Sequence, residues 1–387
     1  MIFMIRYLRT AKKKDLRGVA LVRLDFNTKA GDWRLEAIMP TLRLLARTAR
    51  AVVIVSHRGR PEARPLAWWQ KKAGRKSLPT ADQKLSLRQD AEDLSCRLER
   101  DVIFVPHFDL PNIKALITES PRGSVFLLEN IRFVKEEEKN DMQFAKKLAR
   151  LGDYYVNDAF AVSHRAEASV TAITKFLPSY AGLELEEEIK HLSRVMERPV
   201  RPLVAIFGGA KAADKLGVLQ LFEKKAKWIL LGGGCANTVL ALRGMDVKKS
   251  LRDVDVKDLR VLRPLAARHN VIAPTDYIWS DEKILDIGPL SIKDFSRMIA
   301  GARTIVWSGP LGMTDDVRYQ KGTLAVARAV AKNQKAFSVV GGGETVEFLK
   351  QHKLDKKFGF ISTGGGAMLD FLAGEKLPGL EALKHSR

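Results

Sequence analysis

Short apolar runs alternate with amphipathic stretches almost from one end of the chain to the other. In the first half the runs Val19–Phe26, Ala51–Ser56, Val102–Pro106, Val125–Glu129 and Tyr154–Phe160 are rich in β-branched and aromatic residues. Between them Pro40–Arg50, Leu85–Arg100 and Met142–Leu151 carry apolar residues at helical spacing. Strands separated by helices of this length predict βαβ units and a parallel sheet. The second half repeats the theme with Leu203–Phe207, Trp228–Leu231, Val271–Pro274, Thr304–Trp307, Phe337–Val340 and Phe358–Ile361. Several of these are near-continuous apolar runs, as expected where helices cover both faces of a sheet. The fold class is therefore α/β, with two doubly wound, Rossmann-like parallel-sheet lobes of five or six strands each.

The boundary falls in Leu177–Val200. LPSYAG reads as a turn, and Leu183–Met196 then has helical periodicity, acidic from Glu184 to Glu188 and basic at its end. That order complements a helix dipole. The expected organisation is an N-terminal lobe at 1–180, a hinge helix at 181–200, a C-terminal lobe at 201–372 and a tail at 373–387. The segment Pro61–Lys84 reads as a basic loop packing its own Trp68 and Trp69, although basic and aromatic residues together also suit a nucleic-acid arm.

Composition changes this picture little. Hydrophobic residues make up 46% and charged residues 29%, as in ordinary globular proteins. No run of about 18 apolar residues occurs, and the opening MIFMIRYLRTAKKK is too short in its apolar part for a signal peptide. The chain is expected in the cytoplasm. Cys96 and Cys235 lie outside any C-x-x-C spacing, which argues against a disulfide framework or a zinc site. Net charge is informative: 66 Lys+Arg against 45 Asp+Glu leaves +21, which suits phosphorylated metabolites, nucleotides or nucleic acid.

The candidate chemistry lies where strands end. In the second half, glycine runs follow four strands: Gly208-Gly209-Ala210-Lys211, Gly232-Gly233-Gly234, Gly341-Gly342-Gly343-Glu344-Thr345 and Gly364-Gly365-Gly366. Ligands of open α/β sheets bind beyond the carboxyl ends of the strands, and glycine lets backbone N–H groups approach a phosphate. The edge reads as a nucleotide-phosphate site. No Walker A loop is present. Lys211 and Lys215, four apart at a helix start, would repel unless a polyanion sat between them. Glu344 could cap its helix or hold Mg²⁺, which takes one or two carboxylates plus substrate phosphates.

The first half has basic groups in the matching places: Arg23 with Asp25 and Asn27, His57-Arg58-Gly59-Arg60, Arg132, and His164-Arg165, with Arg34 near the end of the first loop. Arginine recognises carboxylate and phosphate bidentately. Arginines after successive strands should converge into a bowl for a small, multiply charged anion. With no carboxylate at triad-like spacing, His57 and His164 read as anion binders or as core histidines.

The ordered series VRLDFN, SHRGRP, LLENIRF, NDAF…HRA, GGAKAADK, GGGCANT, DIGP, GPLG, GGGETV, STGGGAMLDFL and LPGLEAL resembles the phosphoglycerate kinase family over nearly the whole chain. The resemblance implies two lobes facing across a cleft, a tail returning to the N-terminal lobe, and a monomer. It implies that Asp25, Asn27, Arg34, His57, Arg60, Arg132 and Arg165 hold 3-phosphoglycerate or 1,3-bisphosphoglycerate. Gly209, Lys215, Asp315, Gly342, Gly343, Glu344 and Thr345 would hold ATP or ADP, with Mg²⁺ on Glu344. Arg34, Lys211, Lys215, Gly343, Gly365 and Gly366 would act on the phosphoryl group in flight. The chain departs from the family at Glu344 (usually Asp), at Ser308 in W-S-G-P (commonly W-N-G-P), at Gly312-Met313-Thr314-Asp315 (commonly G-V-F-E), and at Glu167, where H-R-A-H is frequent. A catalytically silent homologue and a nucleic-acid-binding protein are the alternatives, the second not expected because it leaves the glycine runs unexplained.

Overall fold

The computed structural model describes residues 5–27, 33–71 and 83–386. The chain divides into two compact units, Met1–Glu188 with Lys376–Arg387, and Ile189–Glu375.

The first unit is built on six parallel strands: β1 Val19–Arg23, β2 Ala51–Val55, β3 Val102–Val105, β4 Ser124–Leu128, β5 Tyr154–Asn157 and β6 Ser179–Ala181. Their spatial order is β3-β4-β2-β1-β5-β6. Every residue of β1, β2 and β5 is buried, because side chains alternate between two packed faces. Leu21, Val53, Phe126 and Tyr155 enter one core, and Ala20, Val22, Val52, Ile54 and Val156 enter the other.

Helix Arg34–Thr48 covers the second face with Leu35, Ile38, Met39, Leu42 and Leu45. The sequence pattern starts this helix at Pro40, since proline favours a first turn. The structure starts it at Arg34, because Leu35, Ile38 and Met39 already bury against the sheet. Arg34, expected near the end of a loop, therefore occupies a helical first turn. The LPSYAG segment is also corrected: Ser179–Ala181 is the edge strand β6, paired with β5, and too short to show a period. Trp68 and Trp69 lie on helix Leu66–Lys71. Trp69 packs on Phe108 and Phe133 and donates its indole N–H to the Phe133 carbonyl at 2.9 Å, so the core uses it. The rest of that basic segment, 72–82, lies outside the described residues.

Helix Leu183–Glu197 is anchored at its start within the first unit. Leu185 N–H donates to Asp158 Oδ1 at 2.9 Å, and Leu183 N–H donates to Thr41 Oγ1 at 2.9 Å. Burial raises the Asp158 pKa to about 6, against the opposing pull of the Thr41 hydroxyl and the helix N–H groups. Removing a capping carboxylate typically costs about 0.5–2 kcal/mol. Asp158→Ala should lower first-unit stability by that amount in urea unfolding, and an unchanged midpoint would show the contacts to be idle. Helix Pro378–Lys384 buries Leu380 and Leu383, and Gly379 N–H donates to the Ser163 carbonyl at 2.8 Å. A Cβ at Gly379 would stand 3.0 Å from Ser163 Cα, so this approach needs glycine.

The second unit holds β7 Leu203–Phe207, β8 Trp228–Leu231, β9 Val271–Ile272, β10 Tyr277–Ser280, β11 Lys283–Ile287, β12 Thr304–Ser308, β13 Phe337–Gly341 and β14 Phe360–Ile361. Six form a parallel sheet in the order β14-β13-β12-β7-β8-β9, and β10 and β11 form a separate antiparallel hairpin. The order reverses beside β7, whose neighbours are β8 and β12. This is the kind of switch point where open α/β sheets bind ligands. The hairpin has no counterpart in the sequence reading; its turn uses Asp281 and Glu282 at positive φ, with no glycine to mark it.

Candidate active site

In the first unit, the segments leaving β1, β2, β4 and β5 meet at the carboxyl edge of the sheet. Asn27 N–H donates to Asp25 Oδ1 at 3.0 Å, and Gly59 N–H donates to Asn27 Oδ1 at 2.8 Å. Arg132 donates to the Gly59 carbonyl at 3.0 Å, and Asn130 Nδ2 donates to the Arg58 carbonyl at 2.7 Å. The turn after β1, the loop after β2 and the helical turn after β4 are thereby one hydrogen-bonded group. Arg60 stands exposed on it, with Arg165 half-exposed. Arg34 is supplied by a different element, in the first turn of helix Arg34–Thr48.

Beneath lies a buried ionic network. Arg132 donates to Glu167 Oε1 at 2.6 Å, Arg23 lies 3.7 Å from Glu167 Oε2, and Arg165 lies 3.8 Å from Glu167 Oε1. Arg23 also donates to Ser169 Oγ at 2.9 Å and faces His57 Nδ1 at 3.2 Å. A guanidinium cannot accept, so Nδ1 takes its hydrogen bond and the ring proton sits on Nε2. Burial first, then Arg23, Arg132 and Arg165, hold the His57 pKa well below the usual imidazole range. His57 is neutral and can offer an anion one N–H.

Glu137 completes the network, accepting the Ser169 N–H at 2.9 Å and the Ser169 hydroxyl. Burial raises its pKa to about 7, opposed by Arg23 and reinforced by Glu167. The unfolded side chain titrates near 4.5, so both states are protonated below that pH. As pH rises toward 7 the unfolded chain ionises first, and stability from this group is lost. Glu137→Gln removes that loss. The variant should gain on the parent by on the order of 2–3 kcal/mol between pH 4.5 and 8, read by denaturant unfolding. A constant difference would show Glu137 to be ionised throughout.

In the second unit the loop after β7 carries the paired lysines. Gly209 N–H donates to the Pro310 carbonyl at 2.8 Å, and Gly208 N–H donates to the Ser308 carbonyl at 3.0 Å. Asp253 Oδ2 accepts from Ala212 N–H at 2.7 Å and from Thr238 Oγ1 at 3.2 Å, which fixes the turn Ala213–Lys215. The α-helix starts only at Leu216, so the two lysines do not share a helical face as their spacing suggests. Lys211 is exposed before the turn, and Lys215 is buried with Nζ 3.4 Å from the Lys211 carbonyl. Neither has a carboxylate partner among the described residues.

The glycines divide into two kinds. A Cβ at Gly208 would lie 2.0 Å from the Pro310 carbonyl oxygen, and one at Gly234 would lie 1.9 Å from that of Ala210. These let loops pack backbone to backbone. Gly365 and Gly366 have no described atom within 4 Å of a Cβ, leaving their backbone open to a ligand. Thr345 is buried and its hydroxyl accepts from Gly309 N–H at 3.0 Å, while Gly342 is near Ser308 Oγ, 3.6 Å from its Cβ position. Glu344 is exposed in the first turn of helix Gly343–Gln351, and Asp315 is exposed on a separate turn. No hydrogen bond joins Asp315 to the glycine loops among the described residues.

Comparison with known proteins shows the family. The family model described as phosphoglycerate kinase matches residues 12–375. The chain belongs to the phosphoglycerate kinase family. It is a phosphotransferase with a carboxyl group as acceptor, and a nucleotide is its co-substrate. Curated relatives called phosphoglycerate kinase include that of Acidobacterium capsulatum, 39% identical over 94% of this chain and 95% of that one. That of Coprothermobacter proteolyticus is 35% identical over 98% of each. Among solved structures, phosphoglycerate kinase from Coxiella burnetii superposes with TM-score 0.78 at 31% identity, covering 98% of each chain. That from Pyrococcus horikoshii gives 0.81 at 28%, covering 98% of each.

Glu137, Asp253 and the full burial of Arg23 did not stand out in the sequence. Arg23 carried a signal: an arginine inside an otherwise apolar strand must be paired where it is buried. Asp253 carried none, since it sits 42 positions from Lys211 and only the fold brings them together.

Proposed function

We propose that the first unit's basic edge binds 3-phosphoglycerate and the second unit's glycine loops bind the nucleotide. The reaction would be reversible phosphoryl transfer between ATP with 3-phosphoglycerate and ADP with 1,3-bisphosphoglycerate. In the forward sense an oxygen of the acceptor carboxylate attacks the γ-phosphorus while the bond to the ADP oxygen breaks. The attacking group is already ionised, so no general base is needed and catalysis is positioning with charge stabilisation. The single observation that carries the reading is the pair Lys211 and Lys215, neither with a carboxylate partner among the described residues and the second buried against Gly209, in the unit that leaves Gly365 and Gly366 facing open space.

Asp25, Asn27, Arg34, His57, Arg60, Arg132 and Arg165 are assigned to the acceptor. Gly209, Lys215, Gly342, Gly343, Glu344, Thr345 and Asp315 are assigned to the nucleotide. Arg34 and Lys211, with Lys215 and the N–H groups at Gly343, Gly365 and Gly366, are assigned to the phosphoryl group in flight. Glu344 fits Mg²⁺: it is an exposed carboxylate beside Gly342 and Gly343 with no cation partner among the described residues. No group of three or more potential ligands is found among the described residues, so nucleotide phosphate oxygens would complete the shell. The ion would supply charge neutralisation on the phosphates.

Calorimetric titration tests the division of labour. Arg60→Ala with Arg165→Ala should abolish 3-phosphoglycerate binding and leave Mg·ADP binding unchanged, and Lys215→Ala should do the reverse. Loss of the same ligand in both variants would overturn the assignment.

A further inference from the structure

The acceptor edge contains an anion of its own. Glu167 is buried, its side chain about 5% exposed, and three guanidiniums face it: Arg132 at 2.6 Å, Arg23 at 3.7 Å and Arg165 at 3.8 Å. Among the described residues its Oε2 is buried without a hydrogen-bond partner, and so is Nε of Arg132, which faces the exposed Glu138 carboxylate at 3.6 Å. A carboxylate and a guanidinium this deeply buried are normally fully paired, because each unmade bond is costly. The geometry is a strong ionic contact with spare capacity on both sides.

The segment carrying Glu167 is held firmly. Glu137 accepts both the N–H and the hydroxyl of Ser169, and Ala168 N–H donates to the Glu137 carbonyl at 2.9 Å. That clamp fixes the backbone that carries Glu167 beneath the arginines. We propose that Glu167 is a built-in counter-anion that holds Arg132 in place and sets how strongly the site takes a phosphorylated carboxylate. This rests on the assignment of Arg132 and Arg165 to the acceptor. An incoming acceptor meets arginines already shared with a fixed carboxylate. It binds more weakly than it would to the same arginines alone, and it leaves correspondingly faster. Glu167 is a positioning residue, since it acts through Arg132 and Arg165 rather than on the reacting atoms.

The test is Glu167→Gln, which keeps a side-chain oxygen for Arg132 and removes only the charge. The Michaelis constant for 3-phosphoglycerate should fall about tenfold on removal of one unit charge from a partly buried site, with that for Mg·ATP unchanged. Without ligand the variant should melt lower than the parent, because the arginines have lost their counter-charge. Added 3-phosphoglycerate, or inorganic phosphate at higher concentration, should raise its melting temperature by more than it raises the parent's. A merely structural role predicts the lower melting point without the larger ligand-induced shift, and that outcome, or a raised acceptor constant, overturns the proposal.

Arg132→Ala separates the two ideas. If it leaves acceptor binding intact, the assignment of the acceptor site is wrong. If it weakens acceptor binding while Glu167→Gln fails to strengthen it, only the counter-anion is wrong. Should the glutamine variant not fold, Glu167→His also removes the anion and carries the same readouts. If neither variant folds, the carboxylate is a requirement of the fold and the proposal fails.

Discussion

Lys211→Ala should lower turnover by about 10²- to 10³-fold, the usual effect of removing one preorganised group that stabilises transition-state charge. The melting temperature should hardly move. Lys211 is exposed, has no ion pair among the described residues, and precedes the turn that Asp253 fixes through Ala212. Its side chain therefore contributes little to the fold, and the loop keeps its shape without it. Binding of Mg·ADP should fall only slightly, because Lys215 and the glycine backbone remain. Steady-state kinetics beside a thermal melt would decide this. A variant with near-normal turnover would remove Lys211 from the transition state. One that melts early would show that the lysine serves the loop instead.

Arg34→Ala should cost about 10²-fold in turnover, with the Michaelis constant for the nucleotide within about twofold of the parent. Arg34 is the first residue of helix Arg34–Thr48. A cation in a first turn opposes the helix dipole by about 0.3–1 kcal/mol, so alanine there should leave the helix as stable or slightly more stable. Arg34 also lies 5.7 Å from the centre of the Trp33 ring, and an anionic ligand at this edge would offset its opposition to the dipole. A loss confined to nucleotide binding would contradict its assignment to the acceptor and the phosphoryl group.

These two residues also mark what was legible in the sequence. The strands of both sheets could be read because β1, β2, β7 and β12 are buried on both faces and appear as near-continuous apolar runs. The edge strand Ser179–Ala181 could not, because three residues are below the length at which any period shows. Val271–Ile272 and Phe360–Ile361 are shorter still, yet each lies inside a longer run that reads as a strand, Val271–Pro274 and Phe358–Ile361. Pro40 misplaced a helix start by six residues, because tertiary burial of Leu35 and Ile38 outweighed a local preference. The glycine runs do follow strand ends of the second sheet, yet their spacing could not separate Gly208 and Gly234, which pack loops together, from Gly365 and Gly366, which face open space. Lys211 and Lys215 looked alike in sequence. Only the turn held by Asp253 makes one exposed and the other buried. Glu167 stood out as a departure from the family pattern, but its place among three arginines is a property of the folded chain.

The most direct test is the rate of ADP formation from Mg·ATP by the purified protein, with and without 3-phosphoglycerate. Turnover that depends on the acceptor and stops when Mg²⁺ is chelated is the predicted result. Nucleotide binding without acceptor-dependent turnover would contradict it, and would turn attention to Glu344, Ser308 and Asp315 as the positions where this chain has left the family's pattern.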